Sequence, residues 1–559
     1  MEDSTGIPED VVEHGEVFTR RWVVEFILDL CGYTADRDLV ALRAVEPACG
    51  TGAFLGPMIE RLSQSAKAYG YSLNDAGDAI RAFDLLPKNV EATRKMATAV
   101  LTAAGWDEAE SEMVVSKWIA TGDYLLRPAE LGSVDFVIGN PPYIRLEDVP
   151  ETRTLLYRAA CQSMTGRADI YVGFIELGLR SLREGGRLGF IVADRWMRNQ
   201  YGKQLRKMIG DGYSVDVTIQ MHDVNAFEES VSAYPAVSVI RRAEQRAAVV
   251  ANTTSRFGPD DAVAITEWVR GDRREPVLND RYEISELPRW FRGEDLWPSG
   301  SPAVLALVED LNERFYSLED RTVGTRIGIG VATGADGVFV TRDSELVEPE
   351  RLLPLSMAQD TTSGTLKPSG HYLVNPWDEG SLVDLADWPR LRRYFESQDG
   401  LLKRRNVAHR QPSRWYRTID KVDHKLTARE KLLFPDMKMT SHPVYDPGGT
   451  YPHHNLYFIV SDTWDLKVLG GLLLSKVAEM TVGAYCVKMR GGTLRFQAQY
   501  LRRIRVPRPE DVSAKDADAL AAAFEKRDTA AATEVAIRVY GLSEETASWL
   551  KSTNQVRSD

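Results

Sequence analysis

The nine residues Asp135–Tyr143, reading D-F-V-I-G-N-P-P-Y, restrict this chain more than any other stretch. Phe136 to Gly139 are mostly apolar and read as a short strand buried on both faces. They run straight into Asn140-Pro141-Pro142-Tyr143, where two prolines fix φ and offer no N–H. A strand ending in that turn projects a side-chain amide, a bare backbone carbonyl and an aromatic ring into one small space. An amide oxygen and a carbonyl oxygen can together accept both hydrogens of a planar –NH₂ group. The ring can lie on the flat system that carries the amine. The turn is therefore expected to hold an amino group attached to a planar π-system. A plain strand with a rigid turn and a packed tyrosine fits the same residues, and short motifs recur by chance. The rest of the chain has to decide between them.

Upstream, a helical pattern opens at Thr19-Arg20-Arg21. Trp22, Val23, Phe26, Ile27 and Leu30 fall on one face, with Thr19 as the expected N-cap and Gly32 as the stop. Leu39–Val45 reads as a strand running into E-P-A-C-G-T-G-A-F, from Glu46 to Phe54, and a helix is expected from Leu55 to about Ala68. Strand, glycine turn and helix open a doubly wound sheet, in which ligands sit beyond the carboxyl ends of strands. No Gly-Lys-Ser/Thr follows, so this is not a phosphate loop, and the full dinucleotide pattern is also missing. Ile80–Phe83 reads as a strand ending at Asp84, and Ile119–Gly122 as another ending at Asp123. One acidic strand end alone suits a helix cap or a turn. Three of them, Glu46, Asp84 and Asp123, ahead of the Asn140 turn predict a pocket.

In this order the Glu46–Phe54 segment, Asp84, Asp123-Tyr124 and Asn140–Tyr143 resemble the S-adenosylmethionine-dependent amino methyltransferases. With a long C-terminal extension, the order looks like the gamma class of N6-adenine DNA methyltransferases of bacterial restriction–modification systems. The resemblance runs from about Val17 to Arg242. It implies an α/β fold: a Rossmann-like methyltransferase sheet in residues 1–244, then a linker and mixed α+β target-recognition domain in 245–509. A C-terminal helical segment and tail would occupy 510–559. It implies S-adenosylmethionine as cofactor and double-stranded DNA as partner. Thr19 would touch the methionine end of the cofactor, and Glu46, Ala48 and Gly50 would shape its pocket. Asp84 would bind the ribose hydroxyls, and Asp123, followed by Tyr124, the amino group of its adenine. Asn140, Pro141, Pro142 and Tyr143 would form the catalytic turn: Asn140 and the Pro141 carbonyl receive the target amine, and Tyr143 stacks on its ring. Phe227, in Asn225-Ala226-Phe227, would close the far face of the base, although a core phenylalanine fits the same position.

Between the turn and Arg242, a helix is expected over Ala168–Leu182 and a turn at Gly185-Gly186. Strands are expected over Arg187–Val192, Val215–Gln220 and Ala236–Ile240. Gln245–Pro298, with scattered Trp268, Trp290 and Trp297, reads as a connecting region, and Arg326–Val340 as two strands around a glycine-rich turn. Leu401–Thr440 carries eleven Lys/Arg against four acids in a chain of net charge −12. Cations interleaved with aromatics suit a phosphate backbone and unstacked bases. The DNA-binding candidates are Arg404, Arg405, Arg410, Arg414 and Trp415, joined by Arg490 and Arg495 near the end of the recognition segment. Leu466–Ala484 and Glu510–Leu550 read as helical.

Other chemistries find less support. At 559 residues several domains are expected, and no apolar run approaches the roughly 20 residues that span a bilayer. The N-terminus lacks a signal-peptide core, which makes the cytoplasm the expected compartment. Four dispersed cysteines without a C-x-x-C pair argue against disulfides and zinc, and no metal is expected. His442, His453 and His454 read as surface histidines. Pro435-Asp436 with Asp465-Leu466-Lys467 fits a loose nuclease pattern, but Asp465 stands where a helix cap belongs. The short stretch before Thr19 likewise leaves no room for a nuclease domain; a separate restriction endonuclease or another defence subunit is a candidate partner. Protein glutamine or RNA adenine remains an alternative acceptor, and a silent DNA-binding specificity subunit an alternative role.

Overall fold

The computed structural model describes residues 17–127, 132–229, 234–271, 275–486 and 493–552. The chain divides into two compact units, one ending at Ala306 and the other beginning at Leu307.

The first unit is built on one ten-stranded sheet. Its strands are β1 (Ala44–Glu46), β2 (Ile80–Asp84), β3 (Ile119–Thr121), β4 (Val134–Gly139), β5 (Leu182–Ala193), β6 (Ser214–Gln220), β7 (Pro235–Arg241), β8 (Ala248–Thr253), β9 (Val277–Leu278) and β10 (Tyr282–Leu287). They lie in the order β3-β2-β1-β4-β5-β7-β6-β8-β10-β9. From β3 to β5 every pairing is parallel, and β7 enters antiparallel between β5 and β6. All six residues of β4 are buried, as expected of a parallel strand covered on both faces. The chain runs outward from β1 to β3 and then returns to β4 on the other side of β1. At such a reversal the helices leave in opposite directions and a crevice opens beyond the strand ends. Ala44 pairs with Phe136 and Val45 with Val137, which brings Glu46 and Asn140 to that crevice together.

Local chemistry moved several expected boundaries. The first strand is three residues long because the Asp38 carboxylate accepts the Ala41 N–H, turning the apolar run before it. Helix Arg21–Cys31 buries Val23, Val24, Phe26 and Ile27 and ends at Gly32, whose φ is 72°. Its N-cap is Arg20, without a side-chain cap; Thr19 lies one residue further out, in a β-bridge with Phe227. The helix expected over Ala168–Leu182 spans Tyr171–Ser181, and β5 continues through Gly185-Gly186 rather than starting after them. The expected connecting region instead adds β8, helix Pro259–Arg270, β9 and β10 to the sheet, β8 pairing parallel to β6. Trp290 and Trp297 are core residues against Phe291, and Trp297 also meets Trp196. Charged flanks around these short strands hide them in the sequence.

The second unit holds two four-stranded sheets and a helical C-terminus. Arg326–Ile329 pairs with Leu456–Val460 as a strand. The second expected strand begins as a helical turn, Asp336–Phe339, because the Thr333 hydroxyl accepts the Ala335 N–H and donates to Asp336. The helix expected over Leu466–Ala484 is two helices, Leu466–Leu474 and Lys476–Tyr485, bent by 66°. Among the described residues no single helix is long and apolar enough to cross a membrane. The bent pair owes its composition to burial. A Cβ on Gly471 would meet the Leu520 carbonyl of helix Ala514–Lys526 at 2.4 Å, so the two backbones touch. Helices Thr529–Tyr540 and Glu544–Ser552 complete the expected helical segment.

The nuclease-like residues are structural. Asp465 caps its helix by accepting the N–H groups of Lys467 and Val468, Lys467 pairs with Glu525, and Asp436 pairs with Arg495. The histidines differ from expectation. His453 is only 2% exposed, and His442 is half-buried with its Nε2 on the Thr361 carbonyl.

Candidate active site

One cavity, enclosing about 160 Å³, lies beyond the ends of β1 to β4. Thr19, Glu46, Ala48, Gly50, Asp84, Asp123, Tyr124, Asn140 and Pro142 all line it. Residues far apart in the chain thus meet because each stands at the carboxyl end of a neighbouring strand, or on the arm before helix Arg21–Cys31.

At one end three carboxylates converge. The turn after β1 needs glycine at Gly50 and Gly52, whose φ angles are 51° and 96°. A Cβ on Gly52 would fall 2.2 Å from Met96 Cε, whereas the space over Gly50 is open. The Gly50 N–H donates to Asp84 Oδ2 at 3.0 Å. Asp84 Oδ1 accepts from the Leu86 N–H at 2.9 Å and from Asn89 Nδ2 at 3.1 Å. Asp123 Oδ1 accepts the Leu125 N–H at 3.2 Å, and Oδ2 accepts the Tyr157 hydroxyl at 2.7 Å with Arg153 at 3.6 Å. Burial raises the Asp123 carboxyl, and these partners oppose the rise. Glu46 differs. It is 1% exposed and its Oε2 has no hydrogen-bond partner among the described residues. Burial, with the neighbouring Asp84 charge, holds its carboxyl well above the usual range. The Tyr124 ring stacks on Phe174 with centroids 5.3 Å apart, so its side chain belongs to the core beneath the cavity.

Arg153 and Tyr157 were not anticipated from the sequence. They stand four apart on helix Glu151–Ala160 and so share one face. That spacing was the available signal, but nothing in the sequence sets the face against Asp123.

At the other end Asn140 is held by the arm. Its Nδ2 donates to the Val17 carbonyl at 3.0 Å and to Thr19 Oγ1 at 3.2 Å. The Val17 carbonyl can only accept, so the amide nitrogen must face the arm and the oxygen must face away. That oxygen, Oδ1, is buried without a partner among the described residues. The arm is itself fixed by the loop before β7. Arg20 N–H donates to the Ala226 carbonyl at 3.0 Å, Glu228 N–H to the Phe18 carbonyl at 2.8 Å, and Arg20 Nε to the Phe227 carbonyl at 3.0 Å. Pro141 is buried, and Tyr143 donates to the Ile191 carbonyl at 3.3 Å. The Phe227 ring meets Tyr143 edge-on, at 6.4 Å and 80°. It is 5% exposed and packs in the core. A base between two parallel rings needs them about 7 Å apart, twice a van der Waals contact. As the rings stand they form no such slot.

The basic candidates of the second unit separate into two groups. Arg404, Arg410 and Arg414 are exposed, and none has an ion-pair or side-chain hydrogen-bond partner among the described residues. Arg405 donates to the carbonyls of Leu402, Thr333, Trp415 and Arg417, so it braces the loop that carries the others. Arg495 is paired with Asp436, and Trp415 is partly buried with Lys403 Nζ 5.1 Å above its ring. Arg490 lies outside the described residues.

Residues 83–227 match the Eco57I restriction-modification methylase family. The type II methyltransferase M.PaeR7I of Pseudomonas aeruginosa is 44% identical over 542 residues, which is 96% of this chain and 93% of that protein. The chain belongs to the type II methyltransferases of restriction–modification systems. A second such methyltransferase, M.XhoI of Xanthomonas vasicola, is 41% identical over 95% of this chain and 98% of its own length. Both alignments extend well past Ala306, so both units are part of the shared methyltransferase architecture. The fold recurs in the type IIL restriction–modification enzyme MmeI, solved in complex with DNA. That likeness has a TM-score of 0.54 at 12% identity and covers 95% of this chain and 76% of that one. The protein is accordingly a DNA methyltransferase with an α/β catalytic sheet, a second mixed unit and C-terminal helices.

Proposed function

We propose that this DNA methyltransferase moves a methyl group from S-adenosylmethionine to N6 of an adenine rotated out of double-stranded DNA. The observation that carries the reading is Asn140 Oδ1, buried, unpartnered and turned from the arm by two acceptors on its nitrogen. A buried acceptor without a donor is costly, and an incoming amine satisfies it.

The cavity suits the cofactor on its own evidence. Glu46 Oε2 is a buried carboxylate oxygen without a partner and fits the cofactor's ammonium group. The open space over Gly50 admits close approach to the backbone. Asp84 would bind the ribose hydroxyls, Asp123 the adenine amine, and Thr19, Ala48 and Tyr124 would complete the walls. When bound, the sulfonium supplies an electrophilic methyl group.

The remaining work falls to the chain itself. An adenine in the stack is out of reach, and rotating it out costs a few kcal/mol. Asn140 Oδ1 and the Pro141 carbonyl accept the two N–H bonds, and Pro142 holds the turn rigid. These acceptors draw the nitrogen lone pair out of ring conjugation and towards the cavity. Positive charge developing on N6 then meets fixed dipoles that need no reorganisation. Tyr143 stacks on the flipped base. Phe227 covers its other face once one of the two rings turns. Arg404, Arg410 and Arg414 contact phosphates, with Arg405 bracing their loop and Trp415, Arg490 and Arg495 as further candidate DNA contacts. The candidate partners are a separate restriction endonuclease or another defence subunit, and the substrate is cytoplasmic DNA.

The test supplies methyl-labelled S-adenosylmethionine with duplex DNA, RNA or protein. Label entering duplex DNA is expected. Label confined to RNA or protein would overturn the reading, as would a chain that binds cofactor and transfers nothing.

A further inference from the structure

The second unit contains a cluster that the methyl-transfer reading does not use. His453 and His454 lie in the turn between strands Tyr451–Pro452 and Leu456–Val460, and Asp336 opens the helical turn Asp336–Phe339. His453 Nε2 is 3.1 Å from Asp336 Oδ2 and 3.1 Å from His454 Nδ1. One ligand atom from each of the three lies within 4.8 Å of the other two.

Hydrogen bonding accounts for this poorly. A single proton on His453 Nε2 cannot point at a carboxylate oxygen and a ring nitrogen with good geometry to both. Without that proton, a lone pair on nitrogen faces a lone pair on oxygen. The other ring nitrogen of His453, Nδ1, is buried without a partner among the described residues, which hold the imidazole by hydrogen bonds on the side of the cluster alone.

A divalent cation removes the conflict. Metal–nitrogen bonds of about 2.0–2.1 Å and metal–oxygen bonds of about 2.0–2.2 Å, at tetrahedral angles, put neighbouring ligand atoms about 3.3–3.5 Å apart. The two 3.1 Å edges are within a few tenths of an ångström of that. Each ligand is also anchored independently of the others. The His453 N–H donates to the Ser356 carbonyl at 3.0 Å, and the His454 N–H to the Val331 carbonyl at 3.1 Å. The second oxygen of Asp336 accepts the buried Thr333 hydroxyl at 2.5 Å. The backbone bonds fix the turn that carries both histidines and the Thr333 bond orients the carboxylate, a preset arrangement on which a coordination site can be built.

We propose that Asp336, His453 and His454 bind one divalent cation of the zinc class. Two imidazole nitrogens and one carboxylate oxygen suit zinc and its borderline neighbours; magnesium and calcium prefer all-oxygen sets. Asp336 is half exposed, which leaves the fourth position to water. The ion would tie the Asp336 turn to the His453 turn, two segments 117 residues apart, and stabilise the folded second unit by mass action.

The test uses untagged full-length protein, stripped with EDTA, dialysed and titrated with Co²⁺. One equivalent per chain should bind with the visible absorption of a tetrahedral site. Zn²⁺ should displace it and raise the melting temperature. His454→Gln removes a ligand at a half-buried position and should abolish the absorption with an unchanged far-ultraviolet spectrum. Thr333→Val should weaken binding by about 10- to 100-fold, as loss of a ligand-orienting partner does. No uptake by the wild-type chain would overturn the proposal. So would uptake that is unchanged in His454→Gln, because the ion would then sit elsewhere.

Discussion

The two ends of the catalytic cavity are held by contacts of different reach. At the carboxylate end, Asp84 and Asp123 stand at strand ends and take partners from the turn that follows, Leu86 and Asn89 for Asp84 and Leu125 for Asp123, and from groups no more than 34 residues away, Gly50 for Asp84 and Tyr157 for Asp123. At the amide end, Asn140 reaches back 123 residues to Val17 and 121 to Thr19. The arm in turn depends on Arg20 meeting Phe227, 207 residues later. The first end is assembled by the turns of adjacent strands, with Tyr157 from one nearby helix, once the sheet exists. The second is assembled only when the arm, the β4 turn and the loop before β7 have all docked. On the proposed assignment, cofactor binding rests on the local end and methyl transfer on the distant one, so the two functions should fail separately.

The pair Asn140→Ala and Asp84→Ala tests this separation most severely. Asn140→Ala should lower turnover by about 10²–10³-fold, the cost of removing one preorganised charge-stabilising partner. Its cofactor affinity by calorimetry should stay close to wild type. Asp84→Ala should instead weaken cofactor binding by about 10- to 100-fold, since hydrogen bonds to a charged group contribute about 1.5–3 kcal/mol. Equal loss of cofactor affinity in both variants would break the division.

Phe227→Ala addresses the distant end alone. Base–aromatic stacking is worth about 1–3 kcal/mol, so retention of the flipped base should weaken by about ten- to a hundredfold. The readout is 2-aminopurine at the target position, whose fluorescence rises when it leaves the stack. A lower melting temperature with normal flipping would make Phe227 a packing residue that only fixes the arm.

The smallest expected effect is at Thr19, one of two acceptors on the Asn140 amide nitrogen. Thr19→Val should cost turnover several-fold, in line with about 0.5–1.5 kcal/mol for a neutral hydrogen bond. Thr19→Ser should restore it. In the Asn140→Ala background the same change should have no further effect on turnover, because the amide it positions is gone. An additive loss would assign Thr19 to cofactor binding alone.

The same contrast explains what could be read in advance. Glu46, Asp84, Asp123 and the Asn140 turn were legible because strand-end acids and glycine turns carry their chemistry in consecutive residues. The opening of an open α/β sheet was legible in the same segments, whereas the order of its strands was not. Thr19 was expected as a helix cap, but the cap is Arg20, and the partner that draws Thr19 outward is Phe227. Arg153 and Tyr157 were missed because their helix meets Asp123 only in three dimensions. β8 to β10 were missed because short strands with polar flanks give no clear period. Asp336 and His453 share no motif spacing, so nothing in the sequence joins them, and a histidine in a Gly/Pro-rich stretch reads as exposed although His453 is buried. Arg405 looked like its exposed neighbours, yet it is committed to four backbone carbonyls. Composition cannot separate a bracing arginine from a phosphate-binding one.

The central claim is that the unpartnered Asn140 oxygen receives an adenine amine. Its most direct test is nucleoside mass spectrometry of duplex DNA incubated with the purified protein and S-adenosylmethionine. The account predicts N6-methyldeoxyadenosine at a defined short sequence, formed about 10²–10³-fold more slowly when Asn140→Ala replaces the wild-type protein. Methylated cytosine in place of methylated adenine, or N6-methyldeoxyadenosine at undiminished yield from Asn140→Ala, would contradict it.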